Sequence, residues 1–151
     1  MKNDKILKLY QETILDHNKH PKNFRKIEKP TYFAEGYNQL CGDDIKVYLS
    51  IDGEGVITDV SFTGDISALT KASASLMSVH LKGKTTDEAR HMFKEFIDLL
   101  NGKLDPEQDD HHLGELAIFS AVLNFPTKIQ CAALGWYTLI GAINKQEMIQ
   151  T

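Results

Sequence analysis

The segment Cys41-Gly42-Asp43 is the first place in this chain where residue types and spacing could support chemistry. A thiolate and a carboxylate two positions apart can point to the same side of an extended chain. Gly42 lacks a side chain and leaves the backbone between them free to turn. The pattern suits a loop that presents two ligands to one ion. Taken alone, however, so short a pattern favours a buried cysteine followed by a turn aspartate.

The second cysteine, Cys131, follows Phe125 and Pro126 at the start of the last predicted helix. In a first helical turn, the positive end of the helix dipole favours the thiolate form of a cysteine. The alternative is simple core packing, which the apolar sequence of this helix favours. The two cysteines do not resemble a secreted disulfide framework, and a cytosolic address would keep both as thiols.

Hydroxyl and imidazole groups give weaker signals. Ser67 precedes an Ala-Ser-Ala-Ser helix, and its spacing predicts an N-cap whose hydroxyl accepts a free backbone N–H. His111 and His112 could be a metal pair, but adjacent residues point apart and the surrounding loop is acidic, which favours two surface side chains. The remaining histidines have no partner at ligand spacing: His17, His20, His80 and His91.

The elements that must position these residues begin with a helix and continue with strands. Apolar residues at helical spacing predict a helix over residues 4–18. Residues 45–51 and 56–62 alternate apolar and polar side chains around the turn 52–55, which predicts a β-hairpin with one buried face. Residues 31–37 could supply a third strand. The hairpin side chains expected to face the helices are Ile45, Val47, Leu49 and Ile51.

The second half of the chain is predicted to be helical. A capping box at Thr85–Glu88 opens a helix that Asn101 and Gly102 end. Helices are also predicted over 69–79, 113–123 and 128–143, with Pro126 as a break before the last one. Strands followed by helices predict an α+β domain, a three-stranded, mostly antiparallel sheet with helices packed on one face. Trp136 is expected in its core.

Length and composition narrow the function classes. The 151 residues fit one domain over residues 1–151, and the net charge of -4 gives no support to nucleic-acid binding. Residues 1–5 are charged and do not resemble a signal sequence. The most apolar stretch, 131–143, is too short for a membrane span, which takes about 20 residues. We therefore expect a cytoplasmic protein that binds neither nucleic acid nor membrane.

Several segments, in this order and spacing, resemble the U-type iron–sulfur cluster assembly family, which comprises the IscU and SufU proteins and the N-terminal domain of NifU. The resemblance covers nearly the whole chain. The matching segments are residues 9–17, Pro21-Lys22-Asn23, residues 38–45, residues 72–77, Lys82-Gly83-Lys84, residues 125–132 and Trp136. The long segment between the Ala-Ser-Ala-Ser helix and Phe125-Pro126 resembles the SufU branch.

The resemblance implies a metal site of three cysteines and one aspartate, of which Cys41, Asp43 and Cys131 are present. The middle cysteine position is occupied by Ser67, and a neutral hydroxyl is a poor ligand for zinc or for a cluster. Gln130 stands where IscU proteins have His and SufU proteins usually have Lys. Further departures from the family pattern cluster near the site, at Gln39, Asp44 and Ile66.

The resemblance implies a protein that accepts persulfide sulfur from a SufS-like cysteine desulfurase, or scaffolds a nascent [2Fe–2S] cluster for downstream iron–sulfur assembly proteins. Cys41 would be the sulfur acceptor in the SufU manner and Cys131 in the IscU manner, with zinc or a transient cluster on the site. The rival hypothesis is a degenerate member without stable metal that acts as a binding or regulatory partner, which Ser67 keeps open. A cysteine hydrolase is disfavoured because the sequence places no histidine to activate either thiol.

Overall fold

The elements of the fold follow the predicted order, with helices at both ends of a central group of strands. The computed structural model describes residues 2–151, with side chains from residue 4. Met1, the first residue of the charged segment noted in the sequence, lies outside the described residues. The elements are α1 (Lys2–Lys19), β1 (Tyr32–Asn38), β2 (Asp43–Ile51), β3 (Ile57–Asp65), α2 (Ala68–Leu81), α3 (Thr86–Leu100), a 3₁₀ helix (Gly114–Val122), α4 (Pro126–Ile143) and β4 (Met148–Gln150).

The sheet has four strands in the order β3-β2-β1-β4. β1, β2 and β3 form two antiparallel pairs, as predicted. The expected count of three strands was wrong because β4 adds to the free edge of β1 in parallel. Three residues are too few to show an alternating pattern, so this strand could not be recognised from sequence. The α+β class is confirmed.

One face of the sheet is covered by helices. Ile45, Val47 and Leu49 are fully buried, and Ile51 is partly buried against the same core. Because side chains alternate across a strand, Asp43 lies on the same face as these three residues. The Asp43 side chain, at the beginning of β2, therefore points toward the helices rather than to solvent.

Close packing of α4 on β1 depends on Gly36. A Cβ at this position would overlap the side chain of Thr138 in α4, which is fully buried. The missing side chain lets the helix lie directly on the strand. Gly135, one turn earlier in α4, similarly faces Ala74 of α2. These contacts fix α4, and with it Cys131, relative to the strands.

Two helices differ from the prediction. The segment predicted as helical over 113–123 forms a 3₁₀ helix, Gly114–Val122. The last helix begins at Pro126 rather than after it, because proline is well suited to a first helical position, where its missing N–H has no role. Cys131 is therefore in the second turn of α4, where the dipole effect invoked for the first turn is weaker.

The loop after α1 is fastened to serines of α2. His17 Nδ1 lies 2.7 Å from Ser75 Oγ, and the Lys22 backbone N–H donates to the same oxygen over 2.8 Å. The Asn23 amide donates to Ser78 Oγ at 2.9 Å. The segments around residues 17 and 21–23 thus have a structural role, and His17 belongs to no metal cluster among the described residues. Within residues 2–151, no helix is both long and apolar enough to cross a membrane.

The capping box predicted for α3 is confirmed in both directions. The Glu88 N–H donates to Thr85 Oγ1 over 3.1 Å, and the Thr85 N–H donates to Glu88 Oε1 over 3.0 Å. The second bond favours the carboxylate and lowers the pKa of Glu88. The box therefore satisfies two of the backbone groups that a helix start leaves unpaired.

Thr85→Ala is expected to lower the free energy of unfolding by about 1 kcal/mol, because it removes the acceptor for the Glu88 N–H. Urea unfolding followed by circular dichroism measures the change. Thr86→Ala is the matched control, since Thr86 is the first residue of α3 and not its cap. An equal loss in both variants would show that the capping box contributes nothing specific.

Candidate functional site

Cys41 lies in the turn between β1 and β2, and Asn38 holds that turn in place. The Cys41 N–H donates to Asn38 Oδ1 over 2.9 Å, while Asn38 Nδ2 donates to Gln130 Oε1 over 2.9 Å. Gly42 adopts a left-handed conformation, with φ of 69°, that permits the tight turn. In the sequence, Asn38 stood out only as the first residue of the segment 38–45. Its buried amide in fact joins the Cys41 loop to the residue that precedes Cys131.

Cys131 approaches Cys41 from the other side, on α4. The two Cα atoms are 6.1 Å apart and the structure joins the sulfurs as a disulfide. Cys41 is half-buried, whereas Cys131 is only 8% exposed. The expectation of two separate thiols thus differs from the structure, because the Gly42 turn and the second turn of α4 bring the sulfurs into direct contact. Chemistry by either thiolate requires that this bond be reduced.

Asp43 is the first residue of β2 and is almost completely buried, with 2% exposed. Its carboxylate accepts hydrogen bonds from the Ser67 N–H at 2.7 Å, from the Ser67 hydroxyl at 3.0 Å and from the Thr70 hydroxyl. The Thr70 oxygen also lies 3.2 Å from the Cys131 carbonyl oxygen. Thr70 was not predicted from the sequence, although its position three residues after Ser67 places both on one face of α2.

Ser67 occupies the N-cap position of α2, as predicted, but its hydroxyl does not cap the helix. That hydroxyl donates to Asp43 instead, and the Asp43 carboxylate accepts the Ser67 backbone N–H. The predicted capping bond was wrong because the buried Asp43 carboxylate lies across the site as a charged acceptor. A hydrogen bond from the Ser67 hydroxyl to this carboxylate is stronger than one from a backbone N–H of the helix to the hydroxyl. Ser67 is therefore connected to the site by its two hydrogen bonds to Asp43.

The residues predicted to share a site come together. Cys41, Asp43 and Cys131 each offer one ligand atom, and these atoms lie within 4.8 Å of one another. Two sulfurs and a carboxylate oxygen are donors that zinc accepts. Among the described residues, the Ser67 N–H is the one hydrogen-bond donor to Asp43 Oδ1, and a carboxylate oxygen has two lone pairs, so one remains for a metal. Once the Cys41–Cys131 disulfide is reduced, the three side chains offer a donor set that fits a zinc ion.

An acidic pair flanks this site on the sheet. Glu35 in β1 lies within hydrogen-bond reach of Asp44, the residue after Asp43, and this contact raises the pKa of Glu35. Asp44 is one of the departures from the family pattern noted in the sequence. Glu35 and Asp44 thus place two carboxyl groups next to each other at this edge of the site.

A second cluster of potential ligands lies on other elements. His91 and Glu95 of α3 meet His112 from the following loop, again with ligand atoms within 4.8 Å of one another. The prediction that His91 has no partner at ligand spacing was therefore wrong. Glu95 lies one helical turn away, and His112 lies across a loop. His111 and His112 do point apart, as expected: His111 Nε2 lies 3.1 Å from the Pro106 carbonyl oxygen.

The α+β fold, with two cysteines paired where the sheet meets α4, is that of the NifU-type class of proteins. Comparison with known proteins agrees with this class. The model of the NifU-like N-terminal domain matches residues 9–147, and the chain belongs to this family. It is 35% identical to the zinc-dependent sulfurtransferase SufU of Bacillus subtilis over 140 residues, 92% of each chain. It is 32% identical to the iron–sulfur cluster assembly scaffold protein IscU of Thermotoga maritima, covering 91% of this chain and 94% of that protein.

Solved structures show the same fold. A candidate iron–sulfur cluster assembly scaffold protein of the SUF system from Fervidobacterium islandicum is 35% identical, with a TM-score of 0.80 over 89% of this chain and 96% of that one. The N-terminal part of a NifU-like protein from Brucella abortus reaches the same TM-score, 0.80, at 22% identity, covering 91% and 94% of the two chains. The second likeness concerns the fold alone.

Proposed function

We propose that this chain is an iron–sulfur cluster assembly protein that accepts persulfide sulfur from a cysteine desulfurase. The observation that carries the proposal is the meeting of Cys41, Asp43 and Cys131, which come from a strand turn, a strand and a helix. Membership of a family whose relatives are named as sulfurtransferase and scaffold supports the same function. A nascent cluster would be cargo held by the same three side chains.

Cys41 is the acceptor in this proposal. It lies in an exposed turn next to Leu40, which is 69% exposed, whereas Cys131 is buried. In this proposal the exposed Leu40 side chain belongs to the surface on which the desulfurase docks. The Cys41 thiolate attacks the terminal sulfur of the partner's persulfide. A new S–S bond forms to Cys41, the old S–S bond breaks, and the desulfurase cysteine leaves as a thiolate.

Cys41, Asp43 and Cys131 are the residues that would hold zinc. When bound, the metal supplies a positive charge that keeps both sulfurs deprotonated. Asp43 places a weaker oxygen donor beside the sulfurs, and the N-terminus of α2 stabilises its negative charge. The turn at Gly42 leaves the Cys41 sulfur on the accessible side of the site.

A second candidate is a degenerate family member that acts as a binding or regulatory partner without stable metal. Two observations favour it: Ser67 replaces the third thiolate, and three hydrogen bonds already occupy the Asp43 carboxylate.

We also propose that residues 1–151 act as a single cytoplasmic domain, that downstream iron–sulfur assembly proteins receive its sulfur or cluster, and that its acidic charge excludes nucleic-acid partners.

The test is stimulation of a SufS-like desulfurase by the full chain, with a reductant present and alanine formation measured. We expect Cys41→Ala to reduce the stimulation by at least about tenfold, because it removes the attacking sulfur. Cys131→Ala is the matched variant and should retain more stimulation, since it removes a ligand and leaves the acceptor.

Equal stimulation by the two cysteine variants and by the unmodified chain would show that neither thiol receives sulfur. Binding to the desulfurase without any stimulation by the unmodified chain would favour the regulatory partner. Both outcomes count against sulfur transfer. In the first, the chain still raises the turnover of the desulfurase, and in the second it does not.

A further inference from the structure

The three side chains of the second cluster, His91, Glu95 and His112, converge on one carboxylate oxygen. His91 Nε2 lies 3.3 Å from Glu95 Oε1, and His112 Nδ1 lies 2.9 Å from the same oxygen. Nitrogen and oxygen ligands about 2.0–2.2 Å from a tetrahedral zinc ion are themselves about 3.3–3.5 Å apart. The His91 Nε2–Glu95 Oε1 separation is close to that of ligands that share one metal ion, whereas His112 Nδ1 and Glu95 Oε1 are at hydrogen-bond distance and would move apart by about 0.5 Å around an ion.

Glu95 is held in place before any ligand binds. It is only 8% exposed, and its second oxygen, Oε2, accepts the His112 backbone N–H over 2.9 Å. Fixing a ligating carboxylate by a hydrogen bond to its other oxygen is a common feature of metal sites. Among the ion pairs of the described residues, Glu95 has none with Lys or Arg and only those with the two histidines. A buried carboxylate in this position needs a positive partner.

The two histidines leave an open side toward solvent. Their side chains are 64% and 72% exposed, and both line a cleft of about 510 Å³ together with Lys84, Asp87 and Met92. The helix supplies His91 and Glu95 four residues apart, so that both lie on one face. The loop supplies His112, two residues after a strongly acidic segment, residues 105–110, which attracts cations.

We propose that His91, Glu95 and His112 form a second metal site, which takes a divalent transition-metal ion such as Zn²⁺ and leaves one position open to water. Two imidazoles and one carboxylate are a donor set that zinc and iron(II) accept, whereas magnesium and calcium favour sites made of oxygen alone. The site shares no residue with Cys41, Asp43 and Cys131. Bound metal would fasten the loop after α3 to that helix.

The experiment is a zinc titration, measured by calorimetry, of the full chain carrying Cys41→Ser and Cys131→Ser. The two substitutions remove both thiol ligands. We expect one zinc ion per chain. Adding His91→Ala or His112→Ala should weaken zinc binding by at least about tenfold, because each removes one of three protein ligands. Glu95→Gln, which keeps the shape and removes the charge, should also weaken it. Zinc should raise the melting temperature of the double-serine chain and not of these variants.

His111→Ala is the matched control, because the neighbouring ring faces the Pro106 carbonyl and is no part of the cluster. It should bind zinc as tightly as the double-serine chain. The proposal is overturned if the double-serine chain, folded by circular dichroism, binds no zinc, or if His91→Ala and His112→Ala bind it unchanged. An equal loss with His111→Ala would likewise reject this ligand set. The titration uses no cysteine, so its result is independent of sulfur transfer.

Discussion

Ser67→Cys is expected to bind zinc about tenfold or more tightly than the unmodified chain, because it adds a third thiolate beside Cys41 and Cys131. Position 67 is the N-cap of α2, where the positive end of the helix favours a thiolate. The substitution also removes the hydroxyl bond to Asp43, at a cost of about 1 kcal/mol without metal. With zinc at 100 times its dissociation constant, metal binding adds about 2.7 kcal/mol and reverses that loss.

Zinc titration by calorimetry, and melting curves with and without zinc, measure both effects under reducing conditions. Ser67→Ala is the matched control, since it loses the same hydroxyl and adds no ligand. Its melting temperature should be lower than that of the unmodified chain, both with and without zinc. Tight and equal zinc binding by the unmodified chain and Ser67→Cys would mean that Ser67 does not limit the site, whereas no binding by either would favour the regulatory partner.

Trp136→Ala is expected to lower the free energy of unfolding by about 3–5 kcal/mol, because it leaves a large cavity in the core. Trp136 is fully buried in α4 and stacks on Phe96 of α3, with ring centroids 4.7 Å apart. The contact joins the two helices, and α4 also carries Cys131. Urea unfolding measures the loss, provided that the cysteines are reduced in every sample.

Trp136→Phe is the control and should cost clearly less than Trp136→Ala. It keeps an aromatic ring against Phe96 and removes the Trp136 Nε1–H, which is buried and has no hydrogen-bond partner among the described residues. Leaving such a donor unpaired costs about 1–3 kcal/mol, so its removal offsets part of the lost packing. A phenylalanine variant as unstable as the alanine variant, or an alanine variant near full stability, would contradict this account.

Features that depend on neighbours in sequence could be predicted from the sequence. The alternation that begins at Ile45 identified the hairpin and its buried face, and the capping box at Thr85 identified the start of α3, because both follow from local periodicity and local hydrogen bonds. The common side of Asp43 and Ile45 on β2 follows from the same alternation. Resemblance to a family, and not spacing, pointed to a site shared by Cys41, Asp43 and Cys131, whereas the disulfide between the two cysteines was not predicted.

Tertiary structure alone decided the rest. β4 forms because β1 has a free edge, and the Ser67 hydroxyl turns to Asp43 because a buried carboxylate lies opposite it. His91 gains a ligand partner in His112 only after the loop folds back over α3. In each case the partners are separated along the chain and meet through packing, and a local pattern carries no information about which distant surface will be brought against it.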